Sequence, residues 1–186
     1  MEYLLTRNDL MSQDEYEQVR TTYIEDIAAR KQNLRVDLEG IVAVFEMRES
    51  VVGALMEMLR SDTGIREDSL DEVLKATSVL VPSGEEVVCC LYAKDPRTHP
   101  LRDVESWFAV RVGTAELPTT FSPLDAEEDD PDLEGSVPVV CRILLPEALR
   151  EAWLAGPVVF CNTASEGAAE LTAEQRKGIL ATLKGQ

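Results

Sequence analysis

Apolar residues recur every three or four positions at Tyr16, Val19, Tyr23 and Ile27, the spacing of one face of a helix. Ser12-Gln13-Asp14-Glu15 stands just before them. It reads as a capping box, in which Ser12 accepts from a first-turn amide and Glu15 reaches back to the cap. Met11 and Tyr16 occupy the two positions of a hydrophobic staple. These signals predict a helix over 13–31, with the stripe against the core. Thr6-Arg7-Asn8-Asp9 has a similar pattern and predicts a short turn.

The period then changes to two. Leu34, Val36 and Leu38 alternate with Arg35, Asp37 and Glu39. Gly40 permits a turn, and residues 41–48 read as the partner strand of a hairpin. In that strand Val42, Val44, Glu46 and Arg48 share one face. The helical period returns over 49–60, with Val51, Val52, Leu55, Met58 and Leu59 on one side. Ser50, Gly53, Glu57 and Arg60 run down the other. A further helix is expected over 68–78, and Pro82-Ser83-Gly84 marks a turn.

The second half reads mostly as strand. Residues 87–93 and 107–112 are apolar runs of strand length, and 95–105 is a connection. Residues 137–145 predict another strand, with Pro138 near its start suiting a first or edge position. Pro146 opens a helix lined by Ala148, Leu149, Ala152 and Trp153, which Gly156-Pro157 ends. A short strand at 158–161 follows. Thr172-Ala173-Glu174-Gln175 caps a last helix carrying Ile179, Leu180 and Leu183. The pattern predicts one α+β domain over 1–186, a mostly antiparallel sheet packed by N-terminal, central and C-terminal helices. Residues 122–136 interrupt it with an acidic segment, expected to be a mobile loop.

Composition changes this picture in one respect. The chain has 35 acidic and 18 basic residues among 186, a formal net charge of −17. Such a surface repels phosphate backbones and anionic lipid. Nucleic-acid and membrane partners are therefore not expected. A protein partner is, docking through acidic residues such as Asp125, Glu127, Glu128, Asp129 and Asp130, and self-association stays open. The first residues lack a basic segment followed by an apolar one, and no apolar run reaches bilayer length, so a cytoplasmic location is expected.

Chemistry-bearing motifs are sparse. The chain lacks the glycine-rich phosphate loops and the GxSxG nucleophile turn. His99 is the single histidine and has no second ligand nearby in sequence. No cofactor or metal is expected. Cys89 and Cys90 are adjacent on a strand and so point to opposite faces, which excludes a CxxC-type redox pair. With Cys141 and Cys161 they read as small core residues. One constellation remains. Glu46 and Arg48 share a strand face, and Glu57 and Arg60 follow on the polar side of the next helix. If strand and helix pack together, two carboxylates and two guanidinium groups could converge. Glu46 and Glu57 are then the candidate catalytic groups, as proton acceptors, and Arg48 and Arg60 the candidate holders of an anionic substrate. The competing interpretation is a self-neutralising surface network.

The same residues resemble a bacterial family, domain of unknown function 3501. Leu5-Thr6-Arg7-Asn8-Asp9-Leu10 with Glu15-Tyr16 is similar to its start. Arg35-Val36 through Phe45-Glu46-Met47-Arg48 to Glu57-Met58-Leu59-Arg60 is similar to its most distinctive block. Pro82-Ser83-Gly84, Leu145-Pro146-Glu147 and Ala155-Gly156 fit as well. Family members tend to carry glutamines where this chain has Ala54 and Met56. They also tend to carry histidines near 137–142 and after the last strand, where this chain has Val137-Pro138-Val139 and Asn162-Thr163-Ala164. The resemblance implies a cytoplasmic bacterial protein without an assigned activity. Such genes often lie near rubrerythrin-like and iron–sulfur oxidoreductase genes, which implies a redox accessory role by association. Three functions are therefore weighed in order: a non-catalytic accessory or binding protein, a small-molecule enzyme or carrier built on the Glu/Arg set, and a metalloprotein tied to iron handling, against which the sparse His and Cys content argues.

Overall fold

The computed structural model describes residues 5–61, 69–98, 100–124, 137–163, 165 and 167–184. His99 and acidic residues 125–136, with the docking residues expected there, lie outside them.

Ser12 caps α1 (Gln13–Lys31): its Oγ accepts from Glu15 N at 3.3 Å, and Glu15 Oε2 accepts from Ser12 N at 3.0 Å. The alternating segment becomes β1 (Arg35–Leu38), paired antiparallel with β2 (Ile41–Phe45). Leu38 faces Ile41 across the turn, and Gly40 takes φ 77° there, a value that glycine adopts without steric cost. β2 stops at Phe45, short of the expected Arg48. Arg48 instead opens α2 (Arg48–Arg60). The helix expected over 68–78 is α3 (Leu70–Thr77).

Beyond it lie β3 (Glu86–Ala93), β4 (Phe108–Val112), β5 (Ala115–Glu116), β6 (Thr119–Pro123) and β7 (Val139–Leu144). α4 (Glu147–Ala155), β8 (Val158–Asn162), β9 (Gly167–Glu170) and α5 (Ala173–Ala181) complete the order. The strands form two antiparallel sheets, ordered β1-β2-β3-β7-β6 and β5-β4-β8-β9. This is a mixed α+β fold with antiparallel sheets packed by helices.

Strand alternation places the layers. Ala43, Phe45, Cys89, Leu91, Cys141 and Ile143 point from the first sheet into the main core. There Phe45 and Phe108 each meet Phe160 of the second sheet edge to face, with ring centroids 5.9 and 5.7 Å apart. Trp153 of α4 and Ile179 and Leu180 of α5 close the same core. The opposite face of the first sheet, with Val88, Cys90 and Val140, is covered by Leu80 and Leu124. A second core joins Tyr16 of α1, Val51, Val52, Leu55 and Met56 of α2, and Leu74 of α3. The first sheet thus separates a sheet-on-sheet core from a helical layer.

Several details differ from the pattern. Val19 of the α1 stripe is 43% exposed, because α1 packs on α2 along Tyr16, Tyr23 and Ile27. α2 is buried on two sides: Ser50 and Gly53, on its nominally polar side, are buried, while Met58 is 42% exposed. β7 is internal, flanked by β3 and β6, with Pro138 just outside it. β6 carries one large apolar residue, Phe121, and β9 none, so neither had a strand signal. Through β6, Ser122 and Pro123 belong to an edge strand and not to the acidic loop. Among the described residues no helix is long and apolar enough to cross a membrane.

Candidate ligand-binding site

β2 ends at Phe45, and the chain then turns into α2 within two residues. Glu46 is held at that junction by its own amide, which donates to Val88 O of β3 at 2.9 Å. Register sets its neighbours: Val42 faces Tyr92, Val44 faces Cys90, and Glu46 follows beside Val88. Glu46, Cys90 and Tyr92 therefore leave the sheet on its helix-covered face. Lys31, the last residue of α1, reaches the same place, where an ammonium also complements the helix C-terminus.

Lys31 Nζ donates to Glu46 Oε2 at 2.7 Å, and the Ser50 hydroxyl donates to the same oxygen at 2.6 Å. Glu46 is 8% exposed, so this pairing offsets a burial that an isolated carboxylate could not sustain. Burial pushes the Cys90 thiol up to about 11, and Glu46 nearby adds to the rise. Burial likewise pushes the Tyr92 phenol up to about 12, with Cys90 and Glu46 contributing. Both groups stay protonated at neutral pH, so Cys90 is not a thiolate nucleophile.

These groups form the polar end of a cavity of about 520 Å³ between α2, α3 and β3. Val51, Ala54, Leu55 and Met58 of α2 wall it on one side, with Val73 and Ala76 of α3 and Leu80 opposite. The volume lies within the range of small-molecule sites, and an apolar wall with a few convergent polar groups is their usual composition.

The structure does not gather the expected Glu/Arg set around one space. Each member has a separate partner of opposite charge, and all of these lie in residues 9–31. Arg48 Nη2 donates to Asp9 Oδ1 at 2.6 Å. Arg20 Nε and Nη2 grip Glu57 Oε1 and Oε2 at 2.7 and 2.8 Å, and Tyr16 Oη donates to Glu57 Oε1 at 2.8 Å. Arg60 Nε donates to Glu17 Oε1 at 2.7 Å. The physical reason is that α1 offers opposite charge to Glu46, Glu57 and Arg60 at separate points along its length, while Asp9, in the turn before α1, takes Arg48. Arg20 holds the Glu57 carboxyl down to about 2, against a smaller opposing effect of burial and with help from the Tyr16 hydroxyl. A carboxylate of that acidity is a poor proton acceptor at neutral pH. Of the four, Glu46 alone lines the cavity, beside Lys31, Ser50, Cys90 and Tyr92, which the sequence did not single out as a set. A signal was present: Cys90 and Tyr92 are polar-capable residues on the same strand face. Lys31 carried none, because its position at the end of α1 matters only once α1 has docked.

The chain belongs to the family described as protein of unknown function (DUF3501), which matches residues 4–108, more than half its length. That span contains α1, α2, α3, β3 and every residue of the cavity named above. No curated protein matches the chain. A crystal structure described as a novel protein of unknown function from Burkholderia pseudomallei is similar at a TM-score of 0.77 and 21% identity. The match covers 96% of this chain and 98% of that one. The likeness is one of fold.

Proposed function

We propose that the protein is a cytoplasmic bacterial binding protein. It holds a small, largely apolar molecule in the α2–α3–β3 cavity and serves as an accessory to another protein. The observation that carries this reading is the cavity itself: apolar walls around a floor with one internally neutralised ion pair. The groups nearest catalysis favour binding over turnover. Cys90 is held as a thiol, Glu57 is locked by Arg20, and Arg48 and Arg60 are each bonded to a carboxylate. The bonds of Arg48 to Asp9 and of Arg60 to Glu17 disfavour an anionic-substrate enzyme built on those arginines. The net charge of −17 favours a partner protein with a basic face and disfavours nucleic acid.

N-phenylnaphthylamine, an apolar dye that fluoresces when removed from water, tests the cavity. The wild-type protein is expected to bind it saturably at one equivalent. Ala54→Trp, which places an indole in the cavity from an exposed position of α2, is expected to abolish binding while melting like the wild type. Equal binding by both proteins, or none by the wild type, contradicts the reading.

A further inference from the structure

The polar floor of the cavity has an uneven hydrogen-bond supply. Lys31 and Ser50 both donate to Glu46 Oε2. Oε1 of the same carboxylate has no donor among the described residues, and Glu46 lines the cavity. An ionised carboxylate is an acceptor only, with room on both oxygens. Lys31 carries three N–H groups and uses one on Glu46. The Tyr92 hydroxyl lines the same space, and its partner there is the Cys90 thiol, a weak one. The floor therefore offers one strong acceptor beside two or more donors. Its charges already cancel at 2.7 Å.

We infer that the cavity selects an uncharged molecule with an apolar body and a head that carries a donor next to an acceptor. A primary amide, or the lactam edge of a nitrogen heterocycle, has that arrangement. The inference rests on the ligand-binding reading above. The head's N–H donates to Glu46 Oε1, and its carbonyl accepts from Lys31 Nζ or Tyr92 Oη. An anionic head would lie against the Glu46 carboxylate with Lys31 already paired. A cationic head would lie against Lys31. Either sets a third charge without a partner beside the ion pair of Glu46, which is itself only 8% exposed, and that costs more than a missing neutral hydrogen bond. A zwitterionic head would lose hydration at two charges to displace an ion pair already made.

The test keeps the apolar body constant and changes the head. Naphthamide, naphthoate, naphthylmethylamine and naphthylalanine are competed against bound N-phenylnaphthylamine on the full chain at neutral pH. Naphthamide is expected to displace the dye at concentrations about tenfold or more below the other three. Glu46→Gln leaves Lys31 unneutralised, so naphthoate is expected to gain on naphthamide. Lys31→Met leaves Glu46 unneutralised, so naphthylmethylamine is expected to gain instead. A wild-type order with any charged head equal to or above the amide overturns the inference while leaving the binding site in place. So does an order that neither variant changes. Failure of the dye itself to bind removes the binding reading and the inference with it.

Discussion

Arg48 Nη2 and Asp9 Oδ1 meet at 2.6 Å, joining the first turn of α2 to the turn that leads into α1. Both groups are partly buried, with side chains 29% and 22% exposed. Burial raises the Asp9 carboxyl, but the bond from Arg48 and those from Thr6 outweigh it, and the net shift is downward. Two segments 39 residues apart in sequence are thus one contact in space. A comparable link runs from Tyr16 and Arg20 to Glu57.

Asp9→Ala and Arg48→Ala are each expected to destabilise the protein by about 1–2 kcal/mol, typical of a partly buried charge-assisted hydrogen bond. The double variant is expected to lose less than the sum, with a coupling of about 1 kcal/mol. Denaturant unfolding of the four proteins measures it, and strict additivity would mean the pair contributes nothing of its own.

Glu57 predicts a pH dependence with a fixed sign. Its folded pKa, about 2, lies below the ordinary value of 4.5. Its pairing therefore stabilises fully above pH 4.5 and is lost as pH falls from 4.5 toward 2. Because its side chain is 36% exposed, solvent screening reduces the effect to about 1 kcal/mol. The difference in unfolding free energy between wild type and Glu57→Gln is expected to shrink across that window. A difference that stays constant with pH would show that the carboxylate's ionisation does not matter.

α1 rests on α2 at Gly53. A Cβ there would stand 2.9 Å from Ile27 Cδ1 and 3.0 Å from Tyr23 Cε1. Tyr23 is pinned by its hydroxyl, which donates to Glu49 O at 2.9 Å. Gly53→Ala gains about 1 kcal/mol of helix propensity and is expected to come out near neutral after that crowding. Gly53→Leu has no room and is expected to cost about 3 kcal/mol. Thermal melts distinguish the two, and a tolerated leucine would mean the helices do not approach this closely.

The cysteines predict graded reactivity. Cys89 and Cys141 face each other across β3 and β7, fully buried, and Cys90 is 2% exposed. Burial and the neighbouring Cys141 raise the Cys89 thiol far above its ordinary range. Cys161 alone is partly exposed. A thiol reagent at neutral pH is expected to modify Cys161 first and the other three only after unfolding in guanidinium chloride. Rapid modification of Cys90 in the native protein would mean the cavity floor is wetter than this packing allows.

Much of the fold was legible because local signals and packing agree. The Ser12 and Thr172 capping boxes mark helix starts that the structure retains, with Thr172 Oγ1 accepting from Gln175 N at 3.1 Å. The alternation from Leu34 to Phe45 gives β1 and β2, because one face of that hairpin is core. β6 and β9 were not legible: an edge strand of Thr, Ser and Pro, or of Gly and Ala, is held by its neighbour's ladder and not by its own pattern. The site was legible in one residue. Glu46 stood out as an acid on a strand face, but periodicity pairs a residue with chain neighbours, and its ionic partner Lys31 stands at the far end of α1. Arg48, Glu57 and Arg60 looked convergent for the same reason, and long-range partners on α1 and in the turn before it draw them apart.

The most direct test of the proposal that the cavity binds a ligand is an amide-resolved NMR titration of the full chain with N-phenylnaphthylamine. Saturable shifts concentrated at Lys31, Glu46, Ser50, Cys90 and Tyr92, and lost in Ala54→Trp, are the predicted result. Shifts centred elsewhere on the molecule, or none at saturating dye, would contradict it.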